Sequence, residues 1–361
     1  SAKRVTRWAE VHSARMRSAT KRRLRISFAL FLAGPLIGAV YGGVIGHLFR
    51  DAGLIGASIG AIDGAVAAAS IAIIEIFLQR TGWGRAVQQA PFLVTFGVKW
   101  LAYGLVISIL NLRPVGVSVL ALRSRASPLP VSVALWSIAF SFAVTFAILF
   151  LVQVSQIVGP RNLWHIVFGR YHQPHLEERF FLFVDVRGST TLAERIGPVA
   201  VHRFLARVFS LASDPIADYG GEIYQYVGDE MVVTWRLTDG RRDARPLTCF
   251  FAIAAAMEEG AAEFERDFGV VPQLRAALHA GLVITGEIGD TKREIVFHGD
   301  VMNTAARLEQ ATRDFDRQFL VSAQALSRLN GAERFVLEPL GPQPLRGREG
   351  LVQIYAVISA Q

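Results

Sequence analysis

Two aspartates, each at the end of an apolar strand pattern, are the residues of this chain whose type and placement point most directly to chemistry. Asp185 closes the run Phe181-Leu182-Phe183-Val184-Asp185, and Asp229 stands in the turn Val227-Gly228-Asp229-Glu230. Carboxylates presented where a strand stops can converge on one divalent cation and leave its other positions to phosphate oxygens. That pattern predicts phosphoryl or nucleotidyl transfer on a nucleotide. Taken singly, an aspartate after an apolar strand is as readily a helix cap. Glu230 and Asp300 read as turn and cap residues. His202, His279 and His298 lack metal-ligand spacing and read as core or surface residues.

The elements that must position these residues follow from periodicity. Phe180–Val184 reads as a buried strand, Thr190–Tyr219 as one amphipathic helix, and Glu222–Val227 with Met231–Trp235 as a hairpin. Pro246–Phe268 reads as a helix, Gln273–Ile288 as a long strand, Glu294–His298 as a strand and Val301–Thr312 as a helix. The order β-α-β-β-α-β with additions predicts a ferredoxin-like sheet covered by helices on one face.

The first half of the chain is of another kind. Of 361 residues, 52% are hydrophobic and 19% charged, with a mean hydropathy of +0.36. Four apolar stretches, near 26–49, 53–79, 90–112 and 131–157, each approach the roughly 20 residues that cross a bilayer as a helix. The formal charge of +8 is unevenly divided: residues 1–169 balance to +13 and residues 170–361 to −5. The positive charge therefore belongs beside the apolar stretches, where it sets topology and meets anionic lipid, and predicts no nucleic-acid partner. A basic arm over 1–25 and an even number of spans place both termini in the cytoplasm, although Arg113, Arg123 and Arg125 then fall in an outer loop. The lone Cys249 excludes an internal disulfide and fits a reducing compartment.

Glycines recur every fourth residue at 34, 38, 42 and 46, and again at 56, 60 and 64. This spacing makes a flat helix face for close packing, within a chain or between two chains. Asp63, Glu75 and Lys99 lie inside the apolar stretches, where charge is expensive, and the depths of the last two allow an ion pair. His47 is the only histidine there, so bis-histidine haem ligation within one chain is not supported.

The second half resembles the catalytic domain of class III nucleotidyl cyclases, the adenylyl and guanylyl cyclases, in a membrane-anchored bacterial form. Three blocks carry the likeness: Phe183-Val184-Asp185-Val186-Arg187-Gly188-Ser189-Thr190; Gly220-Gly221-Glu222 with Gly228-Asp229-Glu230; and Gly299-Asp300-Val301-Met302-Asn303 through Arg307-Leu308. The resemblance implies that Asp185 and Asp229, assisted by the Val186 carbonyl, hold two Mg²⁺ or Mn²⁺ ions. It implies that amides of Arg187, Gly188, Ser189 and Thr190 receive phosphate oxygens. Asn303 would orient the ribose and Arg307 would stabilise charge on the α-phosphate, while Arg346 or Arg348 would contact the phosphates. Gln225 and Val296 stand where the family reads the base, and both depart from its adenylyl pattern of Lys with Asp or Thr.

What the resemblance implies is an α-helical membrane bundle followed by an α+β ferredoxin-like (βαββαβ) cyclase catalytic domain. The expected organisation is a cytoplasmic arm (1–25), a four-helix transmembrane domain (26–157), a transducing connector (158–179) and a catalytic domain (180–361). The expected activity converts ATP to 3′,5′-cyclic AMP and pyrophosphate in a head-to-tail homodimer with shared sites. The expected location is the bacterial inner membrane, where the charged residues of the membrane half either fix bundle register or respond to an unidentified ligand or lipid. Two other readings stay open: preference for GTP or a pyrimidine triphosphate, and a catalytically weak membrane receptor with a nucleotide-binding cyclase-like domain.

Overall fold

Apolar residues that repeat without a polar face form helices in the first half, and alternating ones form a sheet in the second. A computed structural model describes residues 34–48, 53–80, 87, 90–111, 131–159, 169, 171–291, 293–344 and 350–360. The basic arm over 1–25, the loop carrying Arg113, Arg123 and Arg125, most of the connector, and Arg346 and Arg348 lie outside the described residues. The chain divides into two units, Ser1–Val167 and Phe168–Gln361.

The first unit contains helices α1 (Gly34–Leu48), α2 (Gly53–Arg80), α3 (Phe92–Asn111) and α4 (Val131–Val158). Among the described residues, two segments, Gly53–Ile74 and Leu135–Ser155, are long and apolar enough to cross a membrane; Gly34–Leu48 and Phe92–Ser108 are shorter apolar helices. Leu54, Leu93, Leu101, Leu135 and Trp136 are all exposed, as residues that face hydrocarbon are. The glycine repeats meet each other inside one chain. Gly34, Gly38 and Gly42 of α1 face Gly64, Gly60 and Gly56 of α2 in antiparallel order, backbone against backbone. A Cβ on Gly60 would overlap the Gly38 carbonyl oxygen, whereas one on Gly43 would meet nothing nearer than the Ala57 methyl at 3.4 Å.

Elsewhere in this unit aromatic side chains fill the gaps. Trp100 of α3 donates its indole N–H to the Phe142 carbonyl of α4 at 3.1 Å, and its ring meets the edges of Phe142 and Phe146. The Tyr41 hydroxyl of α1 bonds Ser137 Oγ at 2.9 Å while its ring stacks on Phe140. Gly60→Ala is therefore expected to separate α1 from α2 and destabilise the helical unit by about 1–3 kcal/mol. Gly43→Ala should be neutral or slightly stabilising through helix propensity. Thermal unfolding of the detergent-solubilised protein reads both. The side chain of Glu75 lies outside the described residues, so the Glu75–Lys99 pairing is left as an expectation.

The second unit is one eight-stranded sheet in the order β2-β3-β1-β4-β6-β8-β7, with β5 paired to β4. Its strands are β1 (His175–Val186), β2 (Glu222–Val227), β3 (Glu230–Arg236), β4 (Leu274–Ile288), β5 (Glu294–His298), β6 (Phe319–Ser322), β7 (Phe335–Pro344) and β8 (Leu351–Ala360). The β4-β1-β3-β2 portion is the ferredoxin-like core, antiparallel throughout. The helices after β1 and β3 pack on one face. Phe180, Leu182 and Val184 of β1 meet Phe204, Val208, Phe250 and Ile253 there in a continuous buried core.

Three expectations need correction. The single helix over Thr190–Tyr219 is two, α5 (Ser189–Ile196) and α6 (Pro198–Asp218). Gly197, at φ 85°, turns the chain, and Pro198 starts the next helix because its missing N–H is spared only in a first turn. Pro246–Phe268 likewise divides into α7 (Arg245–Glu259) and α8 (Ala261–Phe268) at Gly260. Finally, helices do not cover one face only. The next helix, α9 (Asp300–Asp314), lays Val301 and Ala305 on Phe181 and Phe183, the opposite side of β1. Asp185 lies on that second face.

Candidate active site

Side chains of a strand alternate in direction, so Asp185 shares the α9-facing side of β1 with Phe181 and Phe183. Antiparallel register places Asp185 opposite Glu230 of β3 and opposite Arg275 of β4. The three therefore form one cross-strand row. Asp229 precedes Glu230 in the β2–β3 turn, where Gly228 takes the left-handed φ of 62° that brings the chain round. The Ser189 hydroxyl, at the first position of α5, donates to the Asp229 carboxylate. From above, α9 contributes Arg313, whose Nη2 lies 3.4 Å from Asp185 Oδ2, and Glu309.

These groups set each other's charge. Asp185 is only 5% exposed; burial, and then the neighbouring Asp229 charge, push its pKa up. Glu230 is raised to about 7 by burial and then by Glu309. Glu309, 3% exposed, is raised to about 7 by burial and then by Asp185. Arg313 and Arg275 offset part of this crowding. Like carboxylates drawn together in a desolvated place raise one another's pKa unless a cation joins them.

A divalent ion fits this donor set. Asp185 and Asp229 supply two carboxylates at a strand end, and Glu309 Oε1 is buried with no hydrogen-bond partner among the described residues. Among those residues, no group of three or more His, Cys, Asp or Glu could hold a metal by itself. Two carboxylates leave most positions of a hard cation to water and phosphate oxygens, as in nucleotide-dependent sites.

The turn between β1 and α5 could receive an anion, through fewer amides than expected. Gly188 caps α5 in the left-handed conformation (φ 73°) without a side-chain cap, which leaves first-turn amides for an anion. The Arg187 amide is not among them, because it donates to the Gln273 carbonyl at 2.8 Å and prolongs the β1–β4 ladder.

Asn303 is exposed and Arg307 half-buried on α9. At 100° per residue they project about 120° around the helix from the Glu309–Arg313 pair that meets Asp185. Within one chain α9 thus aims its two expected catalytic residues away from the two aspartates. Gln225 is exposed on β2, and Val296 is half-buried on β5. Although these strands are not neighbours in the sheet, the Tyr224 and Phe297 rings lie 4.9 Å apart, which joins the two main chains beside Gln225 and Val296. Arg346 and Arg348 fall outside the described residues. His279 is a core residue, 2.7 Å from Ser322 Oγ, while His202 and His298 are exposed.

Sequence reasoning missed Arg275, Glu309 and Arg313 and took Glu230 for a cap. One signal was available: Glu309 interrupts the otherwise apolar or small side of α9 formed by Val301, Ala305, Leu308 and Thr312.

Residues 172–359 match the adenylate and guanylate cyclase catalytic domain family. The chain is 40% identical over 209 residues to adenylate cyclase 2 of Rhizobium meliloti (strain 1021), covering 58% of each protein. It is 25% identical over 211 residues to an adenylate cyclase of Anabaena cylindrica, covering 56% of this chain and 40% of that one. The chain thus spans under two thirds of the length of each of these relatives. Among solved structures, the adenylyl cyclase CyaB from P. aeruginosa is similar at 22% identity and a TM-score of 0.45, over 52% of this chain and 97% of that one. With the family match extending over more than half of its length, from the strand that presents Asp185 to the last strand of the sheet, the chain belongs to the adenylate and guanylate cyclase catalytic domain family.

Proposed function

We propose that the protein is a multi-pass inner-membrane adenylyl cyclase that converts ATP to 3′,5′-cyclic AMP and pyrophosphate in a head-to-tail homodimer. The observation that carries this reading is the geometry of α9. Asn303 and Arg307 point away from Asp185 and Asp229 of their own chain, so a complete site needs two copies. The relatives named as adenylate cyclases support ATP as the substrate.

Asp185, Asp229 and the Val186 carbonyl would hold two Mg²⁺ or Mn²⁺ ions. When bound, these ions supply Lewis acidity at the ribose 3′-hydroxyl and offset the charge of departing pyrophosphate. The amides of Gly188, Ser189 and Thr190 receive phosphate oxygens. Asn303 of the partner copy orients the ribose, and Arg307 of that copy stabilises charge on the α-phosphate. The 3′-oxygen bonds to the α-phosphorus as the bond to the bridging oxygen of pyrophosphate breaks, and the hydroxyl proton passes to solvent. Arg346 or Arg348 binds the outer phosphates. Regulation through the four apolar helices belongs to the same proposal, since one would suffice as an anchor.

Gln225 and Val296 favour one rival reading, a different base preference. An amide can donate or accept, and valine supplies shape alone. Full-length protein in detergent with Mn²⁺ and each nucleoside triphosphate separates the readings. Cyclic AMP is expected to form at least about tenfold faster than any other cyclic product, a difference of ~1.4 kcal/mol in the barrier. A faster GTP reaction would overturn the substrate, and no cyclic product from any triphosphate would overturn the enzyme.

A further inference from the structure

Arg179 is a charged side chain only 1% exposed, on the same side of β1 as Asp185 but six residues away, about 20 Å along the strand. Its guanidinium reaches four elements. Nε donates to Glu177 Oε1 at 2.7 Å, and Nη1 donates to Glu222 Oε2, at the start of β2, at 3.2 Å. Nη2 donates to the Tyr171 hydroxyl, ahead of β1, at 3.1 Å. The guanidinium carbon stands 4.7 Å from the centre of the Phe297 ring of β5. Glu177 also accepts from Thr285 of β4 at 2.6 Å. The Tyr171 hydroxyl accepts a second guanidinium, Arg236 of β3, at 3.1 Å.

Burying a cation this completely is costly, and an apolar side chain of similar volume would often serve stability as well. What the ion cluster provides is a fixed geometry between strands that the sheet does not pair. Glu222 lies three residues before Gln225, and Phe297 follows Val296. Between them, the Phe297 ring rests on Phe181, Tyr224 and the Arg179 guanidinium. Arg179 therefore holds β2 and β5 at one spacing, and Tyr171 holds Arg179. Tyr171 is itself anchored, since its carbonyl accepts the Glu287 amide of β4 at 2.9 Å and its ring stacks on His175.

We propose that Arg179 is a positioning residue for nucleotide recognition, setting the separation of Gln225 and Val296, with Tyr171 as the contact through which the segment entering the domain adjusts it. The inference rests on the cyclase reading, in which Gln225 and Val296 face the base. Transition-state charge is handled elsewhere, so affinity and base preference shift while the chemical step does not.

The test uses full-length protein carrying Tyr171→Phe or Arg179→Lys, with two readouts. Tyr171→Phe removes one hydroxyl and retains the ring. It is expected to raise KM for ATP about threefold to tenfold, with kcat within about twofold and the ATP-to-GTP ratio of kcat/KM altered by a similar factor. Arg179→Lys, which keeps the charge but loses the fork, should shift both quantities further. The second readout is the affinity for 3′-deoxy-ATP with Mn²⁺, which needs no turnover and should weaken in parallel. Unchanged affinity and ratio in folded Tyr171→Phe, or a loss confined to kcat, overturns the proposal. A wild type that binds 3′-deoxy-ATP but forms no cyclic product overturns the cyclase reading instead, and the binding shift then judges Arg179 by itself.

Discussion

Asp185→Ala is expected to lower cyclic nucleotide formation at least about a thousandfold without lowering the melting temperature in metal-free buffer. The two halves of that result have one cause. Asp185 is crowded by Asp229, Glu230 and Glu309, so its removal relieves repulsion in the folded state even as it removes a ligand. Arg307→Ala is expected to fail as severely in turnover, by roughly a hundredfold or more, while retaining Mn²⁺ affinity. In a head-to-tail dimer the two defects of a mixed pair fall in the same site and leave the other whole. Random co-assembly makes half the dimers mixed, each with one intact site, so co-expression should restore about one quarter of wild-type activity. Recovery of none from well-folded mixtures would sink the shared site. Full activity of Arg307→Ala alone would sink its role.

The second large effect concerns pH. Glu230 and Glu309 are both raised to about 7, against 4.5 for an unperturbed glutamate. A raised carboxyl pKa means that the folded state binds protons more tightly than the unfolded chain. The stability it contributes is fully present below about 4.5 and is lost as pH rises through about 7. In EDTA, the melting temperature of the protein should therefore fall between about pH 5 and pH 8, with a loss on the order of 2 kcal/mol or more for the coupled pair. Glu309→Gln should flatten that slope and raise the melting temperature at pH 8. Protons and the divalent ion compete for the same charge, so Mn²⁺ should stabilise the wild type more at pH 8 than at pH 6. A level melting profile in EDTA across this range would contradict the crowding described for the site.

The ferredoxin-like core was legible because its strands are apolar runs that stop at glycine or aspartate, and tertiary context did not override them. Asp185 and Asp229 stood out as carboxylates at strand ends, whereas Asn303 and Arg307 stood out only through the resemblance to the cyclases. What could not be read was anything set by a second element. Gly197-Pro198 and Gly260 divide helices whose apolar period runs on across the break, so periodicity concealed them. Glu309 interrupts the apolar side of its helix, but what it meets there shows only once β1 is placed beneath it. Arg275 is one of many arginines until register sets it opposite Asp185. The glycine repeats defined a flat face, yet only the antiparallel hairpin showed that the face is occupied from within the chain.

The two aspects of α9 have a consequence beyond completing a site. Asn303 and Arg307 project outward from a helix whose Glu309 and Arg313 rest against the Asp185 carboxylate below. In the proposed dimer each such helix serves two nucleotides at once, backing the carboxylates that face one and holding the ribose and α-phosphate of the other. A small roll of α9 on binding at one site is then felt at its twin without any signal crossing the domain. Turnover by such a pair should depend on ATP with a Hill coefficient away from one, its sign set by whether the first nucleotide rolls the helix toward or away from the second.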